Sequence, residues 1–476
     1  MVRVRYAPSP TGEIHIGNAR TALFNYLFAK HHNGTFILRL DDTDEKRSTK
    51  EAIDSMVRDI TWLGLDWDEG YLKGGAYGPY RQRERLPIYN HYIDVLLQEN
   101  FAYELYYTDE EVEKIREDYE KTLRTFSYRK LKENETEGRV REFKEKGINP
   151  AIVFKVAEDK EIIVNDLVRG NVKFNSSEFK DFVIRRSNGL PVYNYATVID
   201  DALMQITHVI RAEEHLSNTP KQILIFEALH FPLPLFAHIS LILAPDRTKL
   251  SKRHGATSLG QFREMGILPE ALFNFLALLG WSPKDNREFF TKNELINLFD
   301  LDNVNKAPAV FDFEKLKWMN HKYIVDTPAD KLYEVYREIT PDADKFPKEK
   351  LIDFIETMKE HFNTIKDIDT LASTVFAPYE IKEEYINKLK ELNAVNLISE
   401  FKKRLETLEP FDKDSVLALI KEVGKALQIK GRNLYFPLRL AVTMQEEGIE
   451  VHEYIYFIGK EETLSRLQKV LEVLNA

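Results

Sequence analysis

Two stretches of the sequence carry residue types suited to phosphate chemistry. Residues 7–20 read APSPTGEIHIGNAR, with His15 two positions before Gly17 at the entrance of a helical pattern. A helix start offers free backbone N–H groups and the positive end of the helix dipole, and both suit phosphate. Pro8 and Pro10 stiffen the turn, and Gly12 can adopt a left-handed conformation. A histidine here can donate to a phosphoryl oxygen as charge shifts during transfer, and a flat purine can lie against the bare backbone of Gly17. Alone, the stretch is equally well a surface-loop histidine and a turn glycine. It contains neither a Walker loop nor G-x-G-x-x-G. Residues 244–256 read APDRTKLSKRHGA, crowding Arg247, Lys249, Lys252 and Arg253 around Ser251. Such a loop repels itself unless an anion neutralises it. Its lysines can close over a triphosphate and follow the charge as pyrophosphate leaves. By itself, the run is better explained as a solvated basic loop.

The elements that must position these residues alternate. VRVRYA reads as a strand, and GNARTALFNYLFAKHH as a helix with Ala19, Leu23, Tyr26, Leu27 and Lys30 at helical spacing. GTFILRL is a second strand. KEAIDSMVRDITWLGL is a second helix, with Ile53, Met56, Val57, Ile60 and Leu63 on one face. This order argues for a parallel α/β sheet. From about residue 101 to 190 the texture changes to a charged helical run, then strand candidates AIVFKV, EIIVNDLV and NVKF, as in an inserted mixed domain. The α/β texture returns at YNYATVIDDALMQITHVI. From about residue 320 the pattern is helical: Leu351, Phe354, Ile355, Met358, Phe362 and Ile365 fit one helix face, and Leu464, Leu467, Val470, Leu471 and Leu474 another.

The 476 residues suffice for several cores, and 43% hydrophobic with 30% charged residues is a globular composition. No stretch approaches the apolar length of a membrane span, and the first ten residues hold no signal-peptide core. Cysteine is absent, which excludes disulfides and Cys-based zinc sites. A cytoplasmic location is the simplest expectation. The net charge of −10 does not exclude a nucleic-acid partner, because a local basic patch can supply phosphate contacts.

HIGN near the start and KLSKR after the α/β half resemble the two signature motifs of class I aminoacyl-tRNA synthetases. RYAPSPTGEIHIGNARTALFNYLFA, RLDDTD, WLGLDWDEG, GPYRQRERLPIY, VIDDALMQITHVIRAEEHLSNTPKQ, KLSKRHGATSL, FDFEKLKWMNHKYI and GRNLYFPLRLAVT together resemble bacterial glutamyl-tRNA synthetase, from residue 3 to the last helix. The resemblance implies an α/β Rossmann-like class I catalytic domain with an inserted α+β acceptor-binding domain, followed by all-α stem-contact and anticodon-binding helical bundles. The expected boundaries are 1–100 and 193–240 for the two catalytic halves and 101–192 for the insertion. Residues 241–320 would form the stem-contact fold with the KLSKR loop, and 321–476 the anticodon domain, split near 375.

The implied reaction joins L-glutamate to the 3′ end of its tRNA through a glutamyl-adenylate, releasing pyrophosphate and then AMP. ATP with Mg²⁺ is the co-substrate, and a monomer with no membrane partner is expected. By similarity, His15, Lys249 and Lys252 are catalytic. Gly17, Asn18, Glu214, Ile242 and Ser251 join them around ATP, with Ile242 presenting backbone to the adenine. Asn18 stands where the general class motif has a second histidine. Arg5, Ala7, Ser9, Asp41, Tyr193, Arg211 and His215 hold glutamate. A guanidinium separates it from glutamine, since it donates twice to a carboxylate and cannot accept from an amide. The competing reading of Arg211 is an ion pair with Glu213 or Glu214. Most family members carry glutamate where this chain has Asp41. The DDTD run is not expected to hold a metal. Some bacterial members bind zinc through a Cys-rich knuckle where this chain reads AYELYYT, so no zinc is expected, and Tyr103 and Tyr107 must supply packing instead. Arg47, His361, Arg432 and Arg439 are candidate tRNA contacts, although the stretch around the last two fits a bundle core equally well. His361 stands where anticodon-discriminating members carry arginine, which points toward an enzyme that also charges the tRNA for glutamine. Glutaminyl-tRNA synthetases typically read the anticodon with a β-barrel, whereas residues 320–476 look helical. A tRNA-modifying glutamyl transferase would lack this region, and short HIGH-type nucleotidyltransferases lack RAEEH.

Overall fold

A computed structural model describes residues 1–10, 12–43, 48–123, 125–341 and 343–475. The chain divides into two compact units. One comprises residues 1–264 with 269–319, the other residues 265–268 with 320–476.

The first unit is built on the expected alternation. Strands Arg3–Tyr6, Thr35–Leu38 and Glu69–Gly70 form a parallel sheet in that order. The helix Ile16–His31 crosses between the first two and is buried on almost every side, so its apolar residues are not confined to one stripe. The helix Lys50–Trp62 is amphipathic, with Ile53, Met56 and Ile60 buried. At the other edge Thr207 continues the sheet toward the second half. Its N–H donates to the Arg3 carbonyl at 2.9 Å, and its hydroxyl accepts from the Arg3 N–H at 2.9 Å. The strand His208–Ala212 then pairs in parallel with Leu235–Ile239. The helix Tyr193–Leu203 runs into this strand.

The middle of the chain refines the sequence expectation in two ways. The charged run is three helices, Asp109–Lys121, Tyr128–Glu133 and Glu137–Glu145. Thr108 and Thr136 cap the first and third through their hydroxyls, so each segment starts anew rather than continuing. The three strand candidates also part company. Ala151–Phe154 pairs antiparallel with Ala102–Leu105 and Phe182–Arg185. Glu161–Asp166 and Gly170–Asn175 form a hairpin whose first strand joins the sheet of Leu235–Ile239. That placement brings Asp166 beside His238.

After the sheet, Ile242–Leu243 makes a two-residue parallel ladder with Ala309–Val310. The remainder of the first unit is helical around Pro269–Leu278 and Lys292–Leu298. The second unit is helical throughout its described residues apart from turns. Its helix Lys348–Met358 stops before Phe362 and Ile365, which sequence periodicity places on the same face. Both are buried, but outside the helix. The Asn363 and Thr364 N–H groups donate instead to Asp367 Oδ2, at 2.7 and 2.8 Å, which starts a new helix at Lys366–Val375. The last helix, Lys460–Asn475, buries Leu467, Val470 and Leu471 as its period implies.

Candidate active site

His15 is the N-cap of the helix Ile16–His31, and its Nδ1 accepts from the Gly17 N–H at 3.1 Å. In the neutral ring the proton then sits on Nε2, which remains the donor. Burial and the nearby Lys249 ammonium hold His15 below the ordinary histidine range, favouring that neutral form. The basic loop reaches this point through backbone pairing. The Ile16 N–H donates to the Thr257 carbonyl at 2.8 Å, and the Leu259 N–H to the Ile14 carbonyl at 3.0 Å. The two phosphate-type stretches of the sequence are therefore neighbouring strands of chain.

Within the loop, Lys249 donates to Glu214 Oε2 at 2.7 Å. That bond holds the Glu214 carboxyl below its usual range, and both groups act electrostatically on His15. Lys252 is exposed on a single 3₁₀ turn, Lys252–His254, and half-buried Ser251 precedes it. Asn18 is exposed and Gly17 half-buried. Ile242 is buried, and its carbonyl accepts from the Leu250 N–H at 3.2 Å.

Glu214 and His215 are consecutive residues of the 3₁₀ segment Glu213–Asn218. Glu214 faces Lys249. His215 faces Tyr193, with Nδ1 3.4 Å from the tyrosine oxygen. Burial, then the Arg211 charge, pushes His215 down to about 4, so its ring is neutral near pH 7. Arg211 is 5% exposed. Its Nε donates to His238 Nε2 at 3.1 Å, and its Nη2 to Thr219 Oγ1 at 2.9 Å and Gln222 Oε1 at 2.7 Å. Its Nη1 lies 3.5 Å from the Tyr193 hydroxyl. Every one of these partners is neutral. The ion-pair reading of Arg211 is not what the geometry gives: Glu213 engages Arg169 and the Leu241 N–H, and Glu214 engages Lys249.

Arg5 is arranged differently. Its Nε and Nη2 clasp Asp201 at 3.0 and 3.1 Å. Arg39 donates to the same carboxylate at 2.7 Å and to Asp41 Oδ1 and Oδ2 at 2.8 and 3.4 Å. Asp41 is thus turned to Arg39 within a buried network, and burial raises its carboxyl to about 6 despite that partner. Ala7 is half-buried and Ser9 exposed on the connection from strand to helix. Asp42 holds Arg81 at 2.8–3.0 Å and caps the Arg83 N–H at 3.2 Å, a structural use of the acidic run.

Sequence reasoning passed over Thr219, Gln222, His238 and Asp166, which surround Arg211 from the helix Thr219–Ala228 and two strands. It also passed over Thr197. Its hydroxyl is buried without a hydrogen-bond partner among the described residues, one helical turn from both Tyr193 and Asp201. A polar residue at i+4 from Tyr193 was the available signal.

Of the candidate RNA contacts, His361, Arg432 and Arg439 belong to the second unit. Arg47 lies outside the described residues. His361 is exposed on a 3₁₀ turn, and Arg432 is exposed over the Phe436 ring. Arg439 is half-buried and donates to the Ile449 carbonyl at 2.6 Å, so it also ties its own bundle together. In the AYELYYT stretch, the Tyr103 hydroxyl donates to Asp181 at 3.0 Å and the Tyr106 hydroxyl to Glu104 at 2.7 Å, while Tyr107 joins a small apolar cluster. Among the described residues, one set of metal-type side chains converges: His31, His32 and Asp300, with ligand atoms within 4.8 Å of one another. It sits at the far end of the helix that His15 caps, about 24 Å along the axis.

Residues 1–318 match the family described as tRNA synthetases class I (E and Q), catalytic domain, and residues 329–471 match an anticodon binding domain. The glutamate–tRNA ligase 1 of Caldicellulosiruptor saccharolyticus is 45% identical, over 98% of each chain. The glutamate–tRNA ligase of Aquifex aeolicus is 45% identical, over 100% of this chain and 99% of its own. A crystal structure of a glutamate tRNA ligase from Elizabethkingia meningosepticum, in complex with its amino acid, superposes with a TM-score of 0.89 at 36% identity over 99% of both chains. With this full-length similarity and this fold, the chain belongs to the glutamate–tRNA ligases of the class I aminoacyl-tRNA synthetases.

Proposed function

We propose that the chain activates L-glutamate with ATP and transfers it to tRNA(Glu), using the groups gathered around the Glu213–Asn218 turn. The observation that carries this reading is Arg211. A buried guanidinium with only neutral partners is costly to hold, and a carboxylate ligand removes the cost. The α-carboxylate of glutamate attacks the α-phosphorus of ATP. The bond to the β-phosphate oxygen breaks and pyrophosphate leaves. The His15 Nε2–H donates to a phosphoryl oxygen, and Lys249 and Lys252 balance the charge that moves onto pyrophosphate. A terminal ribose hydroxyl of the tRNA then attacks the acyl carbon and AMP leaves. Lys249 must exchange Glu214 for phosphate, whereas Lys252 has no such tie to break among the described residues. Gly17, Asn18, Ile242 and Ser251 line the nucleotide. Arg5, Ala7, Ser9, Asp41, Tyr193 and His215 complete the amino-acid pocket, with Asp41 acting through Arg39. Mg²⁺ arrives with ATP. Tyrosine packing takes the place of zinc near Tyr106. The chain acts as a cytoplasmic monomer, its residues 101–192 meeting the acceptor end, 241–320 the stem and 321–476 the anticodon.

The test is glutamate-dependent ATP–pyrophosphate exchange, with and without tRNA. Exchange under neither condition overturns the reading. The Lys252→Ala variant is expected to slow adenylate formation about a hundredfold while leaving glutamate affinity nearly unchanged. Equal losses in both would assign Lys252 a structural role.

We also infer that tRNA(Gln) is charged with glutamate, on the strength of an exposed His361 in place of a guanidinium. Purified tRNA(Gln) should accept glutamate, and His361→Arg should lower that charging about tenfold relative to tRNA(Glu). No acceptance by tRNA(Gln) in the unmodified chain overturns this inference.

A further inference from the structure

Two of the groups behind Arg211 are touched by no step of the reaction. His238, 0% exposed in the strand Leu235–Ile239, accepts from Arg211 Nε through its Nε2. Its Nδ1 lies 2.6 Å from Asp166 Oδ2. Asp166 is fixed in turn. Its Oδ1 accepts from the Val168 and Arg169 N–H groups at 2.9 and 2.7 Å, and its Oδ2 accepts from the His238 N–H at 3.0 Å.

This chain of contacts determines where one proton sits. An ionised carboxylate can only accept, so His238 Nδ1 carries the hydrogen and Nε2 presents a lone pair. A guanidinium can only donate, so Arg211 needs that lone pair. The arrangement also keeps the negative charge one residue away from the cation. A carboxylate standing where His238 stands would pair with Arg211 directly and take the place of the substrate's own carboxylate. A neutral imidazole orients the guanidinium without satisfying its charge.

We propose that Asp166 and His238 are positioning residues for glutamate selection: Asp166 fixes the His238 tautomer, and His238 fixes the guanidinium plane of Arg211 while leaving its charge to the substrate. The proposal rests on Arg211 being the carboxylate clamp. The effect is on amino-acid recognition, so it reads out in KM for glutamate rather than for ATP.

The experiment is steady-state charging of tRNA(Glu), titrating glutamate and ATP separately, on Asp166→Asn, His238→Leu, His238→Gln and Arg211→Ala. The asparagine amide facing Nδ1 turns the ring to its other tautomer, setting N–H against N–H at Arg211. Asp166→Asn and His238→Leu are each expected to raise KM for glutamate about tenfold or more, with KM for ATP within about twofold. His238→Gln keeps an acceptor oxygen facing Arg211 and should recover most of the loss. Asp166→Asn is nearly isosteric and preserves the test should leucine at 238 fail to fold. Equal KM for glutamate in the leucine and glutamine variants, or KM for ATP rising in step, overturns the proposal. If Arg211→Ala raises KM for glutamate and Asp166→Asn does not, the positioning role alone falls. If Arg211→Ala leaves it unmoved, the clamp reading falls first.

Discussion

Replacing Arg211 by methionine is expected to nearly abolish charging while leaving the melting temperature unchanged or higher. Two charge-assisted hydrogen bonds to the substrate carboxylate are worth about 4 kcal/mol together, or roughly a thousandfold in kcat/KM for glutamate. KM for tRNA should stay near its original value, because Arg211 is buried. The stability half of the result separates this residue from an ordinary buried arginine. Among the described residues no carboxylate lies within ion-pair distance of Arg211, and burial holds its guanidinium below the usual arginine range. An apolar side chain of similar length removes an uncompensated charge, which offsets the hydrogen bonds lost at His238, Thr219 and Gln222. Adding glutamate should raise the melting temperature of the unaltered protein and not that of Arg211→Met. Unchanged charging, or a large fall in melting temperature without glutamate, would contradict the assignment.

That expectation was half legible in the sequence. By resemblance, the arginine that opens RAEEH is expected to be a carboxylate clamp, and the motif pair HIGN and KLSKR a nucleotide site. What surrounds Arg211 was not legible. Asp166, Gln222 and His238 come from a hairpin, a helix and a strand that only the closed sheet brings together, and periodicity carries no information about such partners. The same limit explains the helix that ends at Met358. Phe362 and Ile365 continue the apolar spacing, but Asp367 offers the Asn363 and Thr364 N–H groups a cap that starts another helix. The strands Glu161–Asp166 and Gly170–Asn175 were recognisable as strands. Their joining the sheet of Leu235–Ile239 depends on pairing between residues 70 or more apart, which no local pattern encodes.

Asp201→Asn should be the more damaging change to the fold. Its carboxylate serves Arg5 and Arg39 at once, both of them buried. Removing one partner of a buried ion network typically costs about 3–5 kcal/mol, since the remaining charges stay out of water. The measurement is the first thermal transition near pH 7 compared with the unaltered chain. An unaltered transition would show that the network contributes little. The pH dependence follows from opposite shifts. The two arginines hold Asp201 below the ordinary carboxylate range against its burial. Its contribution is therefore complete above the ordinary carboxylate pKa and is lost as pH falls through the lower folded value. Asp41, raised to about 6, works the other way: its contribution is present at low pH and is lost as pH rises through about 6. The deficit of Asp201→Asn should accordingly narrow in acid, where the unaltered chain loses the same charge.

The pairing of residues 14–16 with residues 257–259 has a consequence for biosynthesis. His15 emerges from the ribosome roughly 240 residues before the segment that lies against it, which at about 5–20 residues per second is tens of seconds. Throughout that interval a nascent chain carries the proposed nucleotide site unclosed. ATP recognition should therefore begin abruptly, once the ribosome has released residues 257–259, and ribosome-bound chains stalled shortly before that point should not be retained on an ATP matrix.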